Sequence, residues 1–345
     1  MIRAALAGAI DKAQALATAI SHPGDVLVSL SGGKDSTATW MYLEQSGFLR
    51  TKQEQGWRVV FAFADTGWEL PETYTYLEKL ERLVGKIHRV ATWVPGEGEA
   101  SPSGYDLLVP QWATAGKCLP ADRAALARRI EARLGRPYSP LVRLMVAWAN
   151  VPTTQRRWCT EDTKMKPLVG LLATLNNPIN IIGVRAGESA ARAVQPVWEW
   201  SEAHDAFVWR PIHDWTVGQV IELHRASGID PNPLYLQGSG SGRVGCAPCV
   251  YASKADLRWL TQHQRLRLEI LEEIEEEIGK LNNTNPRWFS LRRVVEDSDG
   301  ARVATVPVPV SQAAEWAQTQ RGGRQLGLFL PEEAPGCVAW GMCQR

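Results

Sequence analysis

The sequence predicts an α/β protein: an open, twisted, mostly parallel sheet flanked by helices, followed by a mainly helical C-terminal region that carries cysteines. Two observations predict it. Short aliphatic or β-branched runs at 25–30, 57–63, 86–92, 179–184 and 207–209 alternate with helical periodicity, the pattern of βαβ units. The first run passes directly into a turn rich in glycine and serine and then into a helix, which places a phosphate cradle at the end of a buried strand.

The elements follow in order. Ile2, Leu6, Ile10, Leu16 and Ile20 recur at helical spacing, so 2–20 reads as an amphipathic helix ended by His22-Pro23-Gly24. Asp25 to Leu30 is a strand, Ser31 to Ser36 the turn, and the residues from Thr37 a helix. Trp57 to Phe63 forms a second strand running into Asp65-Thr66-Gly67, Pro71 to Val84 a helix, and Lys86 to Thr92 a third strand. From about 93 to 155 the pattern weakens to a Gly/Pro/Ser stretch, a helix over 121–134 and a helical segment at 138–149, which reads as an insertion or lid. Regular order returns with a helix near 163–175, the strands at 179–184 and 207–209 and a helix at 216–227. Residues 253–280 read as helix, with Glu269, Glu272, Glu273, Glu275, Glu276 and Glu277 as a solvated acidic face. The expected division is a nucleotide-binding unit over 1–230 and a cysteine-containing helical region over 231–345.

The composition excludes several classes. With 345 residues, 38 Lys+Arg against 37 Asp+Glu and 45% hydrophobic residues, the chain is neither disordered nor a polybasic scaffold held on nucleic acid by bulk charge. Its start lacks a basic region feeding a continuous apolar stretch, and no apolar run approaches a membrane span, so a cytoplasmic protein without membrane contact is expected. The cysteines at 118, 159, 246, 249, 337 and 343 are too sparse for a disulfide framework, and a close pair in a reducing compartment points to metal or redox chemistry.

Ser31-Gly32-Gly33-Lys34-Asp35-Ser36 carries the strongest signal. Two glycines let successive N–H groups turn toward one point, the following helix adds the positive end of its dipole, and Ser31, Ser36 and Lys34 add donors and charge suited to pyrophosphate. Asp35 could orient the turn or help place Mg2+ against phosphate oxygens. Here the chain resembles the PP-loop superfamily, the adenine nucleotide α-hydrolases, and lacks the spacing of a Walker loop. Phe63-Ala64-Asp65-Thr66-Gly67 with Pro71-Glu72-Thr73 looks like a segment of the phosphoadenylyl-sulfate (PAPS) reductase family. So do Gly183-Val184-Arg185-Ala186-Gly187-Glu188-Ser189 with Arg192, and Arg210-Pro211-Ile212-His213-Asp214-Trp215. The resemblance implies a Rossmann-like fold and assigns Ser31, Gly32, Gly33, Lys34, Asp35, Ser36, Asp65, Thr66, Gly67, Arg185 and Arg192 to nucleotide binding, with Lys34, Asp35 and Arg185 catalytic. Independently, Gly67 would let backbone approach a purine or ribose, and two arginines after a strand end suit bidentate contact with phosphate or sulfate. Trp209 and Trp215 read as packing residues.

Gly245-Cys246-Ala247-Pro248-Cys249 presents two thiols on one turn, and Cys159, in Arg157-Trp158-Cys159-Thr160, can bring a third. Three thiols and a fourth from the tail, Cys343 ahead of Cys337, would hold a [4Fe–4S] cluster. Zinc is the main rival, and a redox disulfide between Cys246 and Cys249 a further alternative. Cys118 has no partner in sequence and is read as structural. These segments are similar to the iron–sulfur branch of the family, including phage-borne members and the ATP-pyrophosphatase component of DNA phosphorothioate modification. Unlike assimilatory PAPS and adenylyl-sulfate (APS) reductases, the chain has no E-C-G-x-H motif and no Cys-Cys pair, and it keeps its phosphate turn intact.

The resulting first expectation is an ATP pyrophosphatase: an acceptor oxygen is adenylated, pyrophosphate leaves, and sulfur displaces AMP. The acceptor could be nucleic acid bound by Arg156, Arg157, Lys164 and Lys166, and the sulfur donor a protein such as a cysteine desulfurase. Reduction of PAPS or APS to sulfite, with Cys337 or Cys343 as nucleophile and a thioredoxin-like reductant, is the second. A regulatory subunit binding nucleotide and cluster is the third.

Overall fold

The computed structural model describes residues 23–111, 117–237, 244–296 and 302–319; the helix expected over 2–20 and the thiols Cys337 and Cys343 lie outside them. β1 (Asp25–Ser29), β2 (Arg58–Ala64), β3 (Ile87–Trp93), β4 (Leu107–Pro110), β5 (Ile179–Ile181), β6 (Trp198–Ser201) and β7 (Ala206–Trp209) form one seven-stranded sheet in the order β4-β3-β2-β1-β5-β7-β6. All neighbouring pairs are parallel except β6 with β7, which closes one edge antiparallel.

The sheet is covered on both faces, which explains the unbroken apolar character of its central strands. Val26, Val28, Phe61, Phe63 and Ile181 pack against the helices Lys34–Gln45 and Pro71–Val84 on one side. On the other, Leu27, Val60, Ala62 and Val90 meet Leu171 and Leu172 of the helix Lys166–Leu172. The chain leaves β1 toward β2, β3 and β4, then returns to the opposite side of β1 with β5. The C-terminal ends of β1 and β5 therefore flank the switch point at which open α/β sheets bind ligands.

The segment over 93–155 is better ordered than its sequence pattern. It contributes β4 to the sheet, followed by the helices Ala121–Arg133 and Pro140–Trp148. Those helices share a hydrophobic cluster with the C-terminal region: Leu126, Ile130, Leu141 and Met145 pack with Leu257, Leu260, Leu271 and Ile274. The helix expected over 253–280 is two, Lys254–His263 and Arg265–Asn282, broken at Gln264, where φ is −138°. A hairpin of β8 (Arg292–Glu296) and β9 (Arg302–Pro307) and a helix Val310–Gln318 follow.

One part of the acidic face departs from the reading as a solvated surface. Glu273 pairs with Arg129 and Arg133 across the interface. Glu275 is 2% exposed, and its carboxylate accepts the backbone N–H groups of Trp288 (2.7 Å) and Val310 (3.2 Å). Burial pushes its pKa up to about 7 against the opposing effect of those two donors and Arg287. Helical periodicity put Glu275 with its acidic neighbours; Trp288 and Val310, further along the chain, close over it.

Candidate nucleotide and thiol site

The turn after β1 is the segment expected to cradle phosphate. Gly32 takes φ +72°, a left-handed conformation available to glycine without strain, and Gly33 caps the helix that begins at Lys34. The Ser31 and Ser36 hydroxyls lie 3.0 Å apart; Ser36 also accepts the Ser31 N–H and donates to the Gly33 carbonyl. Lys34 is buried, with its ammonium 3.3 Å from the Asp35 carboxylate and 5.3 Å from the centre of the Tyr235 ring. Arg185, buried on the loop after β5, donates its Nε–H to Asp35. Asp35 thus joins the two loops of the switch point. Gly183 is required beside it, since a Cβ there would lie 2.9 Å from the Asp35 carbonyl and 2.7 Å from the Thr39 hydroxyl. Arg192 is more exposed and ion-paired with Glu188.

The loop after β2 is turned differently from its reading as a ligand-facing carboxylate. Asp65 is buried and accepts from the Gly67 N–H (2.8 Å), Tyr74 (2.7 Å), Tyr105 (3.2 Å) and Arg136 (3.1 Å). Burial raises its pKa, as does the nearby Glu69 charge, against the pull of Arg136, Tyr74 and the Gly67 N–H. The carboxylate therefore fixes the loop from within. Gly67, at φ +68°, lies so close to Ser139 that a Cβ would come 2.4 Å from its Cα.

This loop is knitted to the cysteine turn. Glu69 and Cys246 form an antiparallel bridge. The Ala247 N–H donates to the Trp68 carbonyl and the Trp68 indole to the Pro248 carbonyl, each at 3.2 Å. The Thr66 hydroxyl lies 3.6 Å from the Cys246 sulfur, and the Glu69 carboxylate 3.9 Å from it. Cys159 and Cys249 belong to the same electrostatic neighbourhood, for the Lys164 pKa is raised by Cys246 first and then by Glu69, Cys249 and Cys159. Burial lifts the Cys246 thiol to about 12 despite Lys164, and burial together with Cys249 raises Cys159. Cys118 and Cys249 are exposed, Cys159 and Cys246 half-buried.

By donor chemistry alone, Cys159, Cys246 and Cys249 are of the type that a metal or cluster takes as part of its ligand set. Burial favours the protonated thiols of Cys246 and Cys159 until a cation replaces their protons, while Lys164 would balance the negative charge of bound thiolates. Among the described residues, no three His, Cys, Asp or Glu side chains are grouped so as to hold a metal ion.

Sequence reading missed three groups here. Arg267, buried in the C-terminal helix, donates to the carbonyls of Trp68 (3.3 Å) and Glu69 (2.8 Å); Arg136 lies 3.6 Å from the Tyr74 ring centre. Tyr235 touches the phosphate turn. None belongs to a short motif, and each is brought in from more than sixty residues away, so no local pattern marks it. Of the four cations expected along a nucleic-acid channel, Lys164 faces the thiols, Lys166 pairs with Asp162, and Arg156 and Arg157 are exposed.

A glycine turn at the switch point of a parallel sheet, joined through a neighbouring strand end to paired cysteines, is consistent with a PP-loop type of α/β protein. The chain belongs to the phosphoadenosine phosphosulfate reductase family: residues 139–252 match its reductase domain. An uncharacterised 37.8 kDa protein of Escherichia phage 186 is 31% identical over 325 residues, covering 88% of this chain and 91% of that one. Adenosine 5'-phosphosulfate reductases of Allochromatium vinosum and Rhizobium tropici are 35% and 32% identical over 97 and 99 residues. Those two matches take in 28% and 29% of this chain and 36% and 53% of the relatives. A PAPS reductase from Candida auris, solved with phosphate, aligns at a TM-score of 0.40 and 14% identity, covering 68% of this chain and 88% of that one. Among the described residues, no helix is long and apolar enough to cross a membrane.

Proposed function

We propose that the chain is an adenine-nucleotide enzyme of sulfur chemistry that cleaves ATP to AMP and pyrophosphate while adenylating an acceptor, which then receives sulfur. The observation that carries this reading is the bridge between Glu69 and Cys246, with Thr66 against the sulfur, which ties the loop expected to bind nucleotide to the cysteine turn. The backbone N–H groups of the phosphate turn, the helix N-terminus and Lys34 would bind the leaving pyrophosphate and stabilise charge as it develops. Arg185, held by Asp35, would orient the phosphate at the attacked position, and Arg192 could swing from Glu188 onto an outer oxygen. Asp35 would also hold Mg2+ against the phosphates.

Cys159, Cys246 and Cys249 would hold a [4Fe–4S] cluster, with Cys343, or Cys337, as fourth ligand; zinc is the alternative occupant. Bound there, the cluster would supply a redox-capable anionic group beside Lys164. A protein sulfur donor such as a cysteine desulfurase, and a nucleic-acid acceptor at Arg156 and Arg157, complete the reading. The matches to APS reductases favour a second one, reduction of PAPS or APS to sulfite with a thioredoxin-like reductant.

Anaerobic incubation with ATP, PAPS and APS separately tests the two. Pyrophosphate released from ATP, and lowered at least tenfold by Lys34→Ala, is the result expected. Sulfite from PAPS or APS without ATP turnover would establish the reductase instead, and nucleotide binding without turnover would leave a regulatory subunit.

A further inference from the structure

Helix N-termini bind phosphate through their first N–H groups, and in the turn after β1 the leading one belongs to Lys34. That N–H donates to the hydroxyl of Tyr235, 3.0 Å away and 201 positions along the chain. Tyr235 is buried and roofs the cradle: a Cβ on Gly33 would lie 3.5 Å from its hydroxyl and 3.8 Å from the Val244 carbonyl. Its position is set by the turn Pro233–Tyr235. Asn232 caps that turn through the Leu234 N–H and donates from Nδ2 to the Gly32 carbonyl at 3.1 Å. The hydroxyl also hydrogen bonds to the backbone at Val244, two residues before Cys246. One oxygen thus links the phosphate turn to the start of the cysteine turn.

We propose that Tyr235 is a positioning residue that couples phosphate binding to the cysteine turn. Its hydroxyl and a phosphate oxygen compete for the Lys34 N–H. When the phosphate takes it, the Tyr235 hydroxyl gives up that bond, and its contact with Val244 carries the change to Cys246 and Cys249. The inference rests on the phosphate-binding reading of residues 31–36, and it is independent of which nucleotide reacts and of which metal, if any, the thiols hold. It supplies a reason for a tyrosine to be buried over a phosphate cradle that Lys34 and the helix dipole already make attractive to anions.

The test uses the full chain with inorganic pyrophosphate as the probe. Calorimetry measures binding, and hydrogen–deuterium exchange follows the peptides spanning 31–37 and 244–252. In the wild type, pyrophosphate is expected to slow exchange at 31–37 and to change it at least twofold at 244–252. Tyr235→Phe removes the competitor, so it is expected to bind pyrophosphate about fivefold more tightly, the worth of one ordinary hydrogen bond, while losing the response at 244–252. A wild-type response confined to 31–37 would overturn the coupling whether or not the variant folds. An unchanged response at 244–252 in Tyr235→Phe, or weaker binding by it, would overturn the role of the hydroxyl. Absence of any pyrophosphate binding by the wild type would overturn the phosphate-binding reading and this inference together.

Discussion

At the scale of single residues, burial decides roles that residue type leaves open. Glu275 and Glu276 are indistinguishable in a helical acidic run, yet Glu275 is sealed beneath residues 288 and 310 with its pKa raised to about 7. An acid whose folded pKa lies above its unfolded value binds more protons when folded, so its contribution to stability is present at low pH and is lost as pH rises. Between about pH 4.5 and 7.5 the wild type should lose on the order of 2–4 kcal/mol relative to Glu275→Gln. Thermal unfolding of both across that range measures it; parallel curves would contradict it. The thiols make a second case. Cys159→Ser, Cys246→Ser and Cys249→Ser should each cut bound iron, or zinc, by more than half, whereas Cys118→Ser, outside the proposed ligand set, should retain it. Anaerobic purification with metal and acid-labile sulfide analysis checks this and separates cluster from zinc. Cys246 and Cys249 were legible as a pair because both lie on one turn, and the approach of Cys159 depends on how the chain between them packs.

At the scale of elements, the β1 turn and the strand ends were readable because their signals are local: two glycines, a buried run, a helix start. The edge strands were not. β4 is four residues, Leu107–Pro110, after a Gly/Pro/Ser stretch, and β6 is Trp198–Ser201, just past Pro196; such segments become strands by pairing with β3 and β7 rather than by their own periodicity. The break at Gln264 carries neither glycine nor proline and was equally silent. The loop after β2 gives the sharpest test at this scale. A Cβ at Gly67 would meet the backbone of Ser139 as well as adopt a left-handed φ, so Gly67→Ala should cost about 3 kcal/mol or more and loosen the Thr66 to Cys246 contact. Urea unfolding of the variant measures the loss; a change under 1 kcal/mol would mean that the loop can shift without penalty.

For the whole molecule, the helices over 121–148 and 254–282 share one hydrophobic cluster, and Trp68, beside the nucleotide loop, packs in it 5.9 Å from Trp288. A fragment ending at residue 230 would bare Trp68, Leu141 and Met145 together and should aggregate or fail to fold. Size-exclusion chromatography of that fragment decides it, and a soluble folded monomer would show that the first 230 residues are self-sufficient. By itself the sequence determined the parallel sheet, the glycine turn and helix start at the end of β1 and the family, because each rests on a contiguous pattern of period, glycine placement and hydroxyl or charged neighbours. Only the tertiary structure decided that Asp65 faces inward, that Arg267 and Arg136 join the site, that Tyr235 roofs the cradle and that the nucleotide loop is tied to the cysteines. Those outcomes depend on long-range packing, which sets the burial and partners of a side chain without leaving a periodic mark in the chain that carries it.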